Sequence, residues 1–273
     1  MEKPASNENS RLVSDAEGGK EGGCCAGFFR ILQPCLAELI GVTLFVFVGC
    51  MSVQDEQLNN RPSAIAIAVT HGFAIALLVA SFGHISGGHF NPAVTLGAAL
   101  SGGIKPIVAI CYVLFQLGGS IIGAGICRGA LSFQIRVNFT RAQDVNFGAT
   151  TLDPGVHPVC GLVIETMITL LLVLTVLMTA VDLHGRTNIA PLAIGFAVTV
   201  GILAAINDTG GSMNPARSFG PAVWAHTVDS KHKGVWADHW IYWAGPALGA
   251  ALAALIYRLF FASPDRRVLF KNN

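Results

Sequence analysis

Charge is what this chain has least of. Only 12% of its 273 residues are Asp, Glu, Lys or Arg, about half the share found in soluble domains, so lipid rather than water surrounds most of the chain. The 17 basic and 16 acidic residues leave a net charge of +1, which gives no electrostatic case for a nucleic-acid partner. Residues 1–30, rich in Ser, Glu, Asn, Gly and Lys, hold no apolar stretch of the signal-peptide kind and read as a disordered cytoplasmic tail. A disulfide framework is also missing. Cys35, Cys50, Cys111, Cys127 and Cys160 fall in or at the ends of apolar segments, where free thiols are the natural reading. Cys24 and Cys25 sit in the tail, either unmodified or palmitoylated. No metal-ligand cluster, nucleotide-binding loop or nucleophile constellation stands out, so neither a cofactor nor catalysis is expected.

What the chain has is long apolar runs. Six stretches are of the length that crosses a hydrocarbon core, roughly 20 helical residues. They lie near Pro34–Met51, Ser63–Ser81, Pro106–Leu131, Val156–Val181, Ala190–Ile206 and Trp240–Phe261. Trp236, Trp240, Tyr242 and Trp243 cluster where the last begins, as an interfacial aromatic belt would. With both termini cytoplasmic, ten basic residues (Lys3, Arg11, Lys20, Arg30, Lys105, Arg186, Arg258, Arg266, Arg267 and Lys271) face inward. Six (Arg61, Arg128, Arg136, Arg141, Lys231 and Lys233) face outward, a mild positive-inside bias that agrees with an even number of spans. The sequon at Asn138 then falls in an outer loop, open to glycosylation, whereas that at Asn207 lies too close to the membrane.

Two apolar pieces, Asn91–Leu100 and Asn214–Ala225, are too short to cross. Ten helical residues rise about 15 Å, half the core, and irregular backbone at that depth must line a cavity or be buried in protein. The chain also repeats. Ala64–Ala80 resembles Ala190–Ala205, Gly87–Ala93 resembles Gly210–Ala216, and each half has a glutamate inside its first span, Glu38 and Glu165. Three spans per half force the halves into opposite orientations, with the broken helices meeting at the centre. The expected fold is therefore an all-α membrane protein with six transmembrane helices and two re-entrant half-helices in an inverted repeat. The channel domain is expected over residues 31–262, with repeats at about 34–131 and 156–261, followed by a C-terminal cytoplasmic tail, 263–273.

Asn91-Pro92-Ala93 and Asn214-Pro215-Ala216 are well-formed helix starts, with Asn capping and Pro losing no hydrogen bond. Brought tip to tip, they aim two positive helix ends at the membrane centre. Each Asn amide would donate to a passing water, and a water held by two donors points its own hydrogens away in both directions. Neutral water would pass while protons and cations are opposed. Glu38 and Glu165 are costly in an apolar span unless hydrogen-bonded. They are read as acceptors for the backbone N–H groups of each re-entrant loop, with a proton relay as the alternative.

The motifs Ser86–Gly97 (SGGHFNPAVTLG) and Gly210–Ala222 (GGSMNPARSFGPA) resemble those of the aquaporin family over roughly Gln33 to Phe261. The resemblance implies an hourglass channel, a homotetramer with one pore per subunit, and a selectivity filter. Carried over by distance from the motifs, the filter positions are His71, Ile202, Gly211 and Arg217. This set departs from the Phe, His, Cys and Arg of strict water channels and resembles that of the aquaammoniaporin and plant tonoplast branches. It implies a wider, less polar ring that passes ammonia and hydrogen peroxide besides water. Ser218, where the glycerol-conducting branch has Asp, argues against glycerol. Gly211 and Ser212 offer no thiol for mercury, and Cys50 is read as packing, with modulation by oxidation as the alternative. An ion-coupled transporter would want more acidic residues on its path, and a junction protein would want adhesive outer loops. The membrane is expected to be the plasma membrane, with intracellular or mitochondrial membranes as alternatives.

Overall fold

The computed structural model describes residues 24–53, 63–137, 148–228, 234–263 and 267–268. Asn138, the tail through residue 23 and residues 269–273 lie outside the described residues, as do Arg61, Arg141, Lys231, Lys233 and Arg266 from the orientation argument. The regular elements among the described residues are all helices, with no strand among them. In chain order the helices are α1 Cys24–Ser52, α2 Ala64–Ser86, α3 Pro92–Leu100, α4 Pro106–Val137, α5 Pro158–Val176, α6 Ala190–Ala205, α7 Pro215–Val228 and α8 Ile241–Ile256. Both α5 and α8 run on into a π-helical turn, Leu177–Val181 and Tyr257–Phe261.

Five of these are long and apolar enough to cross a membrane. The sixth expected span is the shorter apolar helix α6, 16 residues long with a rise of about 24 Å. Four turn residues, 206–209, extend the segment before the second re-entrant loop begins. Helix α1 begins at Cys24, ahead of the expected start near Pro34, because Pro34 is accommodated inside the helix. Proline is tolerated within transmembrane helices, where neighbouring groups satisfy the carbonyl it frees.

Packing follows the inverted repeat. Helices α1 and α4 pair in the first half, α5 and α8 pair in the second, and α2 packs on α6 across the pseudo-axis. Each half-helix lies on the last span of the opposite half, α3 on α8 and α7 on α4. Small residues make this possible. A Cβ on Gly119 or Gly123 would overlap the Leu39 or Thr43 carbonyl of α1, and one on Gly195 would come within 2.5 Å of the Gly72 carbonyl. Outward-facing Leu77, Leu114, Ile65 and Phe196 remain exposed, the lipid-facing counterpart of a core that includes Val42, Val46, Phe90 and Met213. The chain is an integral, multi-pass membrane protein.

Candidate functional site

The two re-entrant loops have the same backbone. Gly87 and Gly88 take φ of 89° and 66°, and Gly210 and Gly211 take 80° and 61°. Two residues later, Phe90 (48°) and Met213 (55°) are left-handed without being glycine, at a cost of about 1–2 kcal/mol each. Hydrogen bonds offset that cost. Glu38 accepts from Phe90 N at 2.6 Å, His89 N at 2.9 Å and Ser86 Oγ at 2.6 Å. Glu165 accepts from Met213 N at 2.8 Å, Ser212 N at 2.9 Å and Thr209 Oγ1 at 2.7 Å. Both carboxylates are fully buried and neither lines the central cavity.

Tyrosines at corresponding places complete the pattern. Tyr112 Oη donates to the Ser86 carbonyl at 2.9 Å and Tyr242 Oη to the Thr209 carbonyl at 2.8 Å. The aromatic-belt reading of Tyr242 is therefore wrong, because the residue is 1% exposed and its hydroxyl is spent inside the protein. Trp240, at 47% exposure, does stand outside. Gln116 breaks the symmetry, donating to Glu38 Oε2 at 2.7 Å and Thr95 Oγ1 at 3.0 Å. Sequence reasoning missed Ser86, Thr209, Tyr112, Tyr242 and Gln116. Aligning the two halves beyond their Asn-Pro-Ala turns would have shown the Ser/Thr and Tyr pairs.

The left-handed residues also turn their carbonyls towards the opposite half. Asn91 Nδ2 donates to the Met213 carbonyl at 2.8 Å, and Asn214 Nδ2 donates to the Phe90 carbonyl at 3.0 Å. Each Asn Oδ1 meanwhile caps its own helix, bonding Ala93 N at 2.8 Å or Ala216 N and Arg217 N at 3.0 and 3.2 Å. Pro92 and Pro215 open the two helices at the first position. One N–H of each amide therefore braces the two tips together, a contact absent from the sequence-based picture. Each amide nitrogen carries a second hydrogen beyond this bond.

At this junction lies a narrow cavity bounded by Asn91, Asn214, His89 and Ser212 among apolar side chains such as Ile75, Val79, Leu172 and Val198. Polar groups converging in an otherwise apolar concavity are the usual form of a small-solute site. Two helix N-termini meet here, so the local field favours anions and opposes cations.

Phe45 of the cavity wall stands edge-on to His71, with ring centroids 5.7 Å apart. His71 and Arg217 are buried and joined, Arg217 Nη2 lying 3.3 Å from His71 Nε2. A guanidinium can only donate, so Nε2 accepts and Nδ1 carries the proton, which it gives to the Ile67 carbonyl at 2.9 Å. Arg217 Nη1 donates to the Gly148 carbonyl at 2.5 Å. Ile202 and Gly211 form a second pair. The loop lies so close on α6 that a Cβ at Gly211 would come 2.9 Å from Ile202 Cα, and the left-handed φ compounds the demand for glycine. Ser218 is buried and bonded to Thr150 Oγ1 at 2.6 Å and Ser212 Oγ at 2.5 Å. Cys35, Cys50, Cys111, Cys127 and Cys160 are free thiols.

Comparison with known proteins bears on this geometry. Aquaporin-8 of Rattus norvegicus is 41% identical over 243 residues, covering 89% of this chain and 87% of that protein. Aquaporin TIP2-1 of Arabidopsis thaliana is 40% identical over 248 residues, covering 87% and 90%. The X-ray structure of the aquaglyceroporin from Plasmodium falciparum matches with a TM-score of 0.72 and 19% identity, over 83% of this chain and 95% of that one, a likeness of fold. Residues 28–257 match the family model described as major intrinsic protein; with the inverted loops, the paired asparagine caps and these relatives, the chain belongs to the major intrinsic protein family, the aquaporins.

Proposed function

We propose that this chain is a passive channel for water that also passes ammonia and hydrogen peroxide and excludes protons and ions. The observation that carries the reading is the reciprocal bracing of Asn91 and Asn214 on each other's loop, which holds two positive helix ends together beside the cavity. A neutral solute crosses such a junction by exchanging hydrogen bonds with the remaining amide hydrogens, whereas a cation meets two helix dipoles and then the fixed charge of Arg217. His71, Ile202, Gly211 and Arg217 form the filter in this proposal. His71 and Arg217 supply the polar side, and Ile202 with bare Gly211 supplies an apolar side that admits solutes wider than water. Glu38 and Glu165 support the loops and transport nothing. The chain assembles as a homotetramer in the plasma membrane or an intracellular membrane, with both termini cytoplasmic and Asn138 on the outer side.

Stopped-flow shrinkage of proteoliposomes tests the reading. High water permeability with a low activation energy, flux of ammonia and peroxide, and no proton current are the expected results. A proton or ion current would refute the exclusion argument, and water flux without ammonia or peroxide flux would refute the filter assignment.

A further inference from the structure

Ser218 stands beside Arg217 in the sequence but takes no part in the constriction itself. Its side chain is the middle of a row of hydroxyls behind it. Thr150 Oγ1 lies 2.6 Å from Ser218 Oγ, and Ser218 Oγ lies 2.5 Å from Ser212 Oγ. Ser212 Oγ in turn lies 3.0 Å from the Asn214 carbonyl. All three residues are buried, at 4%, 0% and 5% exposure for Thr150, Ser218 and Ser212. A hydroxyl has one proton to give and a carbonyl has none, so the row runs one way. Ser212 gives its proton to the Asn214 carbonyl, Ser218 gives its proton to Ser212, and Thr150 gives its proton to Ser218.

Each end of this row sits on an anchor of Arg217. At the inner end, Asn214 Oδ1 accepts from Arg217 N at 3.2 Å. At the outer end, Thr150 lies two residues from Gly148, whose carbonyl accepts from Arg217 Nη1. Gly148 has no side chain with which to hold that carbonyl in place, and Thr150 supplies a polar tie. The rest of the outer segment lies along the second re-entrant loop. A Cβ on Gly210 would come 3.3 Å from Thr150 Cγ2, and Asp153 N donates to the Asp208 carbonyl at 2.8 Å. Thr150 therefore has two separable contacts, a methyl against Gly210 and a hydroxyl on Ser218.

We propose that Thr150 and Ser218 are positioning residues for Arg217, and that their one-way hydroxyl chain fastens the outer segment to the first turn of α7 and so holds the guanidinium at a fixed place in the constriction. Ser218 has to accept on one side and donate on the other. An ionised aspartate in its place could only accept. Thr150 and Ser212 would then both turn their protons on it, and the Asn214 carbonyl would lose its bond from Ser212. That gives a physical reason for the contrast between Ser218 and the Asp of the glycerol-conducting branch. With the chain cut, Gly148 no longer tethers Nη1, the guanidinium moves, and the constriction loses its fixed width. Solutes wider than water gain most from the open positions. This effect on solutes rests on the channel reading above; the placing of the guanidinium does not.

The test uses the full chain and two readouts. Thr150→Val keeps a methyl against Gly210 and removes the hydroxyl, whereas Thr150→Ser keeps the hydroxyl and removes the methyl. Ser218→Ala cuts the chain at its middle. Thr43→Val is the control, removing a hydroxyl that bonds the Leu39 and Gly119 carbonyls on the α1–α4 seam. The rate at which phenylglyoxal modifies Arg217 in the folded protein, read by peptide mapping, should rise at least threefold in Thr150→Val and Ser218→Ala. It should stay at the parent rate in Thr150→Ser and Thr43→Val. In proteoliposomes from the same preparations, the ratio of glycerol to water permeability should rise at least twofold in the first two variants only. Parent-like reactivity of Arg217 in either chain-cutting variant overturns the proposal. So does a Thr150→Ser variant as reactive as Thr150→Val, which would place the effect on packing, and so does an equal rise in Thr43→Val, which would make it general loosening. Raised reactivity with an unchanged permeability ratio upholds the positioning and counts against the filter role of Arg217 instead.

Discussion

Replacing Glu165 with glutamine keeps the side chain's shape and removes one acceptor and one charge. In the parent, Oε1 takes the bonds from Thr209 Oγ1 and Ser212 N, and Oε2 takes the bond from Met213 N. The best placement of the amide keeps its oxygen at the first two donors and turns its NH2 towards Met213 N–H, donor against donor. Two charge-assisted bonds become neutral ones, each weaker by about 1 kcal/mol, and a buried N–H loses its partner at about 1–3 kcal/mol. Relief from burying a charge returns part of this, leaving a net loss of about 3 kcal/mol. At about 2–4 °C per kcal/mol for a chain of this size, the melting temperature in detergent should fall by roughly 6–12 °C. Met213, left-handed and gripping Asn91 through its carbonyl, is the residue set loose. Melting of the purified protein, paired with water flux of the fraction that reconstitutes folded, separates support from transport. An unchanged melting temperature with abolished flux would refute the reasoning and make the carboxylate part of the path.

Three further outcomes follow from the same geometry. Gly220→Ala should destabilise by about 2 kcal/mol, although alanine is the better helix former, because its Cβ would overlap Ser120 Oγ and carbonyl where Ser120 joins α4 to α7; a variant that melts at or above the parent temperature would contradict the close α4–α7 approach. Ile202→His should retain water flux and cut ammonia and peroxide flux several-fold by placing a polar ring on the apolar side, as read by stopped-flow assays with each solute. Asp182 lies just past α5, where burial pushes its carboxyl up but bonds from Tyr257 Oη and the Gly185, His184 and Ser263 backbone outweigh it and hold it below the usual carboxylate range. Its stabilising contribution is therefore present above the unfolded value of about 3.9 and lost as pH falls through the lower folded value, so Asp182→Asn should lower the melting temperature at pH 7 and flatten its decline below about pH 4.

How much of this was legible beforehand depends on the distance over which each interaction acts. Helix starts at Asn91-Pro92 and Asn214-Pro215 are local chemistry, and the structure caps both helices from those residues. The extents of α2, α5 and α8 follow from runs of apolar residues, and they agree with expectation to within a few residues at most ends. Tyr242 was misread because aromatic composition beside a span signals an interface, while burial depends on what packs over the ring. Thr209, 33 residues earlier, supplies the carbonyl that draws the hydroxyl inward. The reach of α1 back to Cys24 was missed for a related reason: proline reads as a boundary in water, and only surrounding protein or lipid makes it harmless.

The sequence by itself determined the topology. Lipid demands long uncharged helices, three spans per half force inversion, and two half-length segments must meet where the halves meet. Tertiary structure alone decided how that meeting is held. The asparagines reach across to carbonyls 122 and 124 residues away, and Arg217 joins His71 across 146. No local pattern encodes such pairs, because they exist only once the backbone has brought two distant turns to within a hydrogen bond of each other.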